Sequence, residues 1–122
     1  MTRERLSLGK EGEDFAAAYL KKLGYRIRER NFRTPLGEID IIALDGNTLV
    51  FVEVKTRRSH AFGLPFEAVN RKKREQIAKA ARYYMAGKRV NDMAARVDIV
   101  SVMSDGEEMR AEVIRNAFDV PS

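Results

Sequence analysis

The stretch Gly37-Glu38-Ile39-Asp40-Ile41-Ile42-Ala43-Leu44-Asp45-Gly46-Asn47-Thr48-Leu49-Val50-Phe51-Val52-Glu53-Val54-Lys55 decides the fold. Two runs rich in Ile, Val and Phe flank Asp45-Gly46-Asn47-Thr48, a strong turn signal, so residues 38–44 and 49–55 read as a β-hairpin. Both strands are so apolar that they read as buried on two sides. Side chains alternate along a strand, so Asp40, Ile42 and Leu44 share one face of the first. On the second, Leu49, Phe51, Glu53 and Lys55 share a face, while Val50, Val52 and Val54 fill the other. Matching apolar to apolar across a four-residue loop pairs Leu44 with Leu49 and Ile42 with Phe51. That register sets Asp40 opposite Glu53, with Cβ atoms about 4.5–5.5 Å apart.

Two carboxylates side by side on an apolar face repel each other and lose hydration, so one protonates unless a cation neutralises the pair. Lys55, on the same face as Glu53, supplies one charge. A divalent ion supplies two, and hard oxygen ligands suit Mg²⁺ or Mn²⁺. The competing reading puts the acids at strand ends, in water, as salt-bridge partners of Lys55 and Arg57. That reading is the better one for either acid alone; their coincidence on one face favours the metal. Glu13 is a third acid. On a helix it lies about 20° from Leu20, at the margin of the apolar stripe, where it could reach the pair. On spacing alone, a favourable anion in the first helical turn is the commoner explanation.

Outward from the hairpin, residues 9–23 read as an amphipathic helix with Phe15, Ala16, Tyr19, Leu20 and Leu23 on one side and Gly24 as its cap. Residues 25–33 read as a strand broken by Thr34-Pro35-Leu36-Gly37, and 57–66 as loop. Asn70 reads as the N-cap of a second helix running to about Met85, with Gly87 beyond it. Residues 96–103 and 109–114 are two further strands around Asp105-Gly106. The order α-β-β-β-α-β-β predicts an α/β fold: one mixed sheet of about five strands with two main helices packed on it.

Composition narrows the class. The 122 residues, 44% hydrophobic and 34% charged, suit a single domain over 1–122 with one real core. No apolar run approaches the roughly 18–20 residues of a membrane helix, and the start lacks a signal peptide's apolar stretch. The expectation is a cytoplasmic protein without membrane contact. The absence of cysteine excludes disulfides, thiolate metal sites and a cysteine nucleophile, and one histidine excludes a multi-histidine zinc site within a single chain. The net charge of +5 hides a segregation. Residues 1–89 carry 20 Lys/Arg against 11 Asp/Glu, whereas 90–122 carry 3 against 7. Such a division suits a polyanion partner, most simply nucleic acid, although a solvated basic face would look the same.

The second helix bears on that choice. Arg71, Lys72 and Lys73 occupy its first turn, where positive charge opposes the macrodipole; a phosphate bound at the helix start resolves the conflict. Ile77, Ala80, Ala81 and Tyr84 recur at core spacing and read as packing. Arg26, Arg28 and Arg30 alternate onto one strand face, as suited to solvent as to nucleic acid. His60 receives no role.

Gly37-Glu38-Ile39-Asp40, twelve residues, then Glu53-Val54-Lys55 resembles the PD-(D/E)XK signature of restriction-endonuclease-like nucleases, with Ile39 where the name has proline. Gly12-Glu13, Arg30-Asn31, Arg57, Phe62-Gly63, Lys73, Tyr84, Arg96-Val97-Asp98 and Asn116-Ala117-Phe118 extend the likeness over about 10–118. More specifically, the chain resembles the YraN-like family, itself similar to archaeal Holliday-junction resolvases. The resemblance implies a restriction-endonuclease-like sheet and a Mg²⁺- or Mn²⁺-dependent nuclease acting on nucleic acid, most simply DNA, with structured substrates and a homodimer suggested by the resolvases. It implies that Asp40, Glu53 and the Val54 carbonyl bind the metal, that Lys55 activates water, and that Glu13 is the extra helix acid. Arg57, Arg71, Lys72 and Lys73 are the expected nucleic-acid contacts. A binding module of the same fold that cleaves poorly as an isolated chain, and a scaffold whose acids only make salt bridges, are the alternatives.

Overall fold

In the computed structural model, which describes residues 3–58, 70–90, 92–105 and 107–118, the hairpin takes the expected register. Strands β2 (Gly37–Asp45) and β3 (Thr48–Arg57) pair antiparallel through Ile42↔Phe51 and Leu44↔Leu49. Pairing continues to Asp45↔Thr48, so the loop shrinks to Gly46-Asn47 without changing the register; Gly46 takes the left-handed φ of 61° that the tight turn requires. Around this pair lie helix α1 (Arg3–Lys22), strand β1 (Arg26–Thr34), helix α2 (Arg71–Lys88) and strands β4 (Ala95–Ser104) and β5 (Met109–Phe118). The sheet runs β1-β2-β3-β4-β5. Only β3–β4 is parallel, because α2 carries the chain from one end of β3 back to the other. The α-β-β-β-α-β-β mixed sheet is the architecture expected from the sequence. Arg57, expected to open the 57–66 loop, instead ends β3; residues 59–66 of that loop, with His60 and Phe62-Gly63, and the turn glycine Gly106 lie outside the described residues.

Both faces of the central strands are covered, as their apolar runs require. Ile41, Ala43, Val50, Val52, Val100 and Val102 pack with Ala16, Ala17, Leu20 and Tyr25 on the α1 side. Ile42, Leu44, Leu49, Phe51, Val97 and Ile99 pack with Ile77, Ala80, Ala81, Tyr84 and Met85 on the α2 side. Fully burying each large apolar side chain contributes about 1.5–3 kcal/mol before conformational entropy is counted. Among the described residues, no helix is long and apolar enough to cross a membrane.

Three boundaries differ from expectation by three residues or more. Helix α1 begins at Arg3 and runs through Gly9, whose helix penalty of about 1 kcal/mol does not stop it. Helix α2 passes through Gly87, and Arg89 forms the left-handed cap (φ 56°), its amide donating to the Ala86 and Met85 carbonyls. Strand β5 continues past Ile114 to Phe118 because a buried side chain bridges its irregularity. The Asn116 amide donates to Asp98 Oδ1 at 2.9 Å, and Asn116 itself has φ 52°. Asp98, fully buried, also accepts from the Tyr25 hydroxyl (2.8 Å) and from Arg96 Nε (3.0 Å). Arg96 reaches on to Asp45 at 2.7 Å, so one satisfied network joins the end of β2, the start of β1, β4 and β5. The Arg96 guanidinium is held charged, first by its hydrogen bond to Asp98.

Candidate acid–lysine site

The site forms where β2 and β3 stop pairing. Their ladder ends at Ile41↔Val52, one step short of the expected Asp40–Glu53 pair. Instead, Asp40 Oδ2 accepts the Val54 amide at 2.8 Å, a side chain replacing a rung of the ladder. The pleat of β2 is interrupted at the same point. Ile39 packs in the α2-side cluster and Ile41 in the α1-side cluster, although residues two apart on a regular strand share a face. On β1, Arg30↔Ile41 and Phe32↔Ile39 pair around Asn31, which takes φ 52°. Asp40 therefore stands at a break in the sheet, between the layers of α1 and α2.

Glu53 is 4% exposed, and its Oε1 lies 3.5 Å from Lys55 Nζ and 3.6 Å from Lys73 Nζ. Its carboxyl is pushed up to about 7, first by burial and then by the charge of Asp40, against the opposing pull of Lys73 and Lys55. Burial also raises Asp40, while the Val54 hydrogen bond and Lys73 oppose the rise. Glu13, half-buried, is raised by burial and then by Asp40, to which it hydrogen-bonds; Glu38 adds to the repulsion. Lost hydration thus disfavours all three anions first, and Asp40 adds to it at Glu13 and Glu53; for Asp40 and Glu53 this is the condition inferred from the hairpin arithmetic.

The position of Glu13 depends on its neighbour. A Cβ added to Gly12 would collide with the Thr56 side chain, reaching within 2.9 Å of the Thr56 Cβ. Only glycine lets α1 approach β3 this closely, and that approach carries Glu13 to Asp40. Arg30 binds Asp14 at 2.7 Å and fastens the same turn of α1 to β1.

The expected nucleic-acid contacts divide. Lys73 enters the acid cluster. Its amide is capped by Asn70 Oδ1 at 2.9 Å, so the N-terminal turn of α2 sits against Glu53. Arg71 and Lys72 are exposed on that turn, Arg71 lying 3.4 Å from Glu75. Arg57 ends β3, two residues beyond Lys55. Sequence reasoning missed the pairing of Lys73 with Glu53, although the lack of any acid in the first turn of α2 was its signal. The shared face expected for Arg28 and Arg30 is not observed. A register shift between Ile27 and Glu29 interrupts the alternation between them, and Arg30 binds Asp14 of α1.

The donor set fits a hard divalent cation in chemistry: carboxylate oxygens from three elements, all raised first by burial and, at Glu13 and Glu53, by the charge of Asp40, which added positive charge would relieve. Among the described residues, no three His, Asp or Glu side chains already stand close enough to hold an ion. Glu53 is engaged by two ammonium groups, and turning it to a cation means releasing at least one of them.

A five-stranded mixed sheet between two helices, with acids and lysines gathered where its central strands part, defines an α/β protein with an acid–lysine site. The chain belongs to the Uncharacterised protein family UPF0102, whose family model matches residues 12–102. This is the YraN-like family to which the motif blocks point. The matched span holds Glu13, Asp40, Glu53, Lys55 and Lys73 and stops before β5. Relatives named UPF0102 protein are similar along nearly the whole length. One from Syntrophotalea carbinolica is 48% identical over 98% of both chains. One from Syntrophus aciditrophicus is 50% identical over 96% of this chain and 92% of its own, and one from Moorella thermoacetica 47% over 97% and 100%.

Proposed function

We propose that this protein is a divalent-metal-dependent nuclease, similar in its site to the PD-(D/E)XK enzymes and acting most simply on DNA. The observation that carries the reading is the gathering of Glu13, Asp40 and Glu53 with Lys55 at the point where β2 leaves β3. Asp40 and Glu53 would hold Mg²⁺ or Mn²⁺, with Glu13 and the Val54 carbonyl completing the set by resemblance. When bound, the ion supplies Lewis acidity and a water of lowered pKa. The chain's own groups do the rest. The Val54 amide fixes the Asp40 carboxylate, so ligand geometry does not depend on a free rotamer. Lys55, released from Glu53, would orient the attacking water and stabilise negative charge developing at phosphorus. Arg57, at the end of β3, and Arg71 and Lys72, exposed on the first turn of α2, would supply phosphate-binding charge.

A second reading, a nucleic-acid-binding module without efficient catalysis, is favoured by one observation: Lys55 and Lys73 already neutralise Glu53. A cleavage screen over duplex, flap, fork, four-way junction and RNA with Mg²⁺ and Mn²⁺ tests both. The nuclease cuts at least one substrate, and Asp40→Asn loses the activity while keeping the Val54 contact. Binding of these substrates without cleavage under any condition selects the module.

A further inference from the structure

The sheet face that carries Glu53, Lys55 and Arg57 continues sideways into β4 and β5. Lys55 pairs with Ser101 and Arg57 with Met103 across the parallel ladder; Ser101 and Met103 in turn pair with Glu112 and Arg110. Beyond Lys55 on this side, Arg58, Ser101, Met103, Asp105, Arg110 and Glu112 line a groove of about 530 Å³. That volume lies within the 300–1,000 Å³ of small-molecule sites, and one strand spacing of about 4.8 Å separates its Ser101 wall from the Lys55 strand.

The lining discriminates among the parts of a nucleic acid. Two guanidinium groups are balanced by two carboxylates, and Arg110 is already committed to Asp105 at 2.6 Å. A track for phosphates carries net positive charge, whereas this lining is neutral, so it offers phosphate no net attraction. It does offer an apolar, polarisable side chain (Met103), a hydroxyl (Ser101) and a carboxylate acceptor (Glu112). A nucleobase has the matching chemistry, with no charge, an apolar face and an edge of donors and acceptors. An ionised carboxylate accepts and never donates, so Glu112 favours guanine, whose N1–H and N2 amine stand side by side, over thymine or uracil, whose one N–H lies between two carbonyls.

We propose that the groove binds one unpaired nucleobase adjoining the phosphodiester at the acid–lysine site. This deepens the nuclease reading and rests on it. A base reaches such a groove only out of the duplex stack, so the substrate class is nucleic acid with an unpaired nucleotide beside the cut, as at a flap, loop or branch point.

The test uses the full chain in EDTA, where cleavage is suppressed, with duplexes carrying 2-aminopurine either fully paired or in a one-strand flap at the branch. The flap should bind about tenfold more tightly than the paired duplex, and 2-aminopurine fluorescence should rise severalfold as the base leaves its stack. Ser101→Leu, which fills the groove, should abolish both differences. Should that variant fail to fold, Glu112→Gln on the exposed β5 position gives the second reading: flaps ending in guanine lose their advantage over thymine. Bound flap with unchanged fluorescence and no base preference overturns the base site, and cleavage by the same protein in Mg²⁺ would leave the nuclease reading standing. Brightening without cleavage under any metal keeps the base site and removes the nuclease. Failure to bind any of these nucleic acids overturns both.

Discussion

Replacing Glu53 by glutamine should stabilise the metal-free protein, by an amount that depends on pH. The Glu53 carboxyl, ordinarily near 4.5, is pushed up to about 7, with burial the first cause and Asp40 the second. A carboxyl raised on folding binds its proton more tightly in the native than in the unfolded chain. Between about 4.5 and 7 the native state therefore holds more protons, and stability falls as pH rises through that window. At 1.36 kcal/mol per pKa unit, the loss approaches about 3 kcal/mol above pH 7. Glutamine mimics the neutral form and cannot lose that proton. In EDTA, Glu53→Gln should match the wild type near pH 4 and exceed it by about 3 kcal/mol at pH 8, or about 10 °C in Tm for a chain of this length. Urea unfolding followed by circular dichroism at pH 4.5, 6 and 8 reads the difference directly. A gap that does not grow with pH, or a variant less stable at pH 8, would refute the reasoning: Lys55 and Lys73 would then stabilise the anion by more than burial and Asp40 disfavour it. Saturating Mg²⁺ should reverse the order, since an ion bound only to the native wild type raises its midpoint alone.

Other outcomes follow from the same geometry. Glu13→Gln should raise the metal-free midpoint by relieving repulsion with Asp40 and shrink the Mg²⁺-dependent increment, whereas a pure helix-dipole role predicts a loss of about 0.3–1 kcal/mol and an unchanged increment; paired thermal melts decide. Lys55→Ala should remove most of the cleavage rate with little change in nucleic-acid affinity, while Lys72→Ala weakens binding and flattens its salt dependence. Lys73→Ala, because its ammonium faces Glu53, should alter Mn²⁺ binding measured by calorimetry more than it alters that salt slope. Asp98→Ala should cost about 3–5 kcal/mol in urea unfolding by leaving Arg96 and Tyr25 without their buried acceptor, and Arg96→Met in the same background should recover part of it.

Hydrophobic periodicity, with the turn and cap residues, determined the element order and the central hairpin, and matching apolar to apolar side chains across the turn set its register. It also placed Asp40 near Glu53 and marked the first turn of α2 as electrostatically frustrated. Chain ends and bulges were not legible in the same way. The glycines at 9 and 87 resemble boundaries, yet both helices run through them, α2 ending only at the left-handed Arg89. The continuation of β5 past Ile114 depends on Asp98, eighteen residues away, meeting the Asn116 amide. Only the folded chain decided how the acids meet. A strict two-residue alternation put Asp40 across from Glu53 in a regular ladder, whereas the break at Asn31 and Asp40 ends the ladder and turns the Asp40 carboxylate onto the Val54 amide. Glu13 and Lys73 arrive from opposite helices, through a glycine close approach and a helix cap that no local pattern relates to Glu53. Periodicity reports which way a side chain faces from its own element; the distance between side chains on different elements is set by how those elements pack.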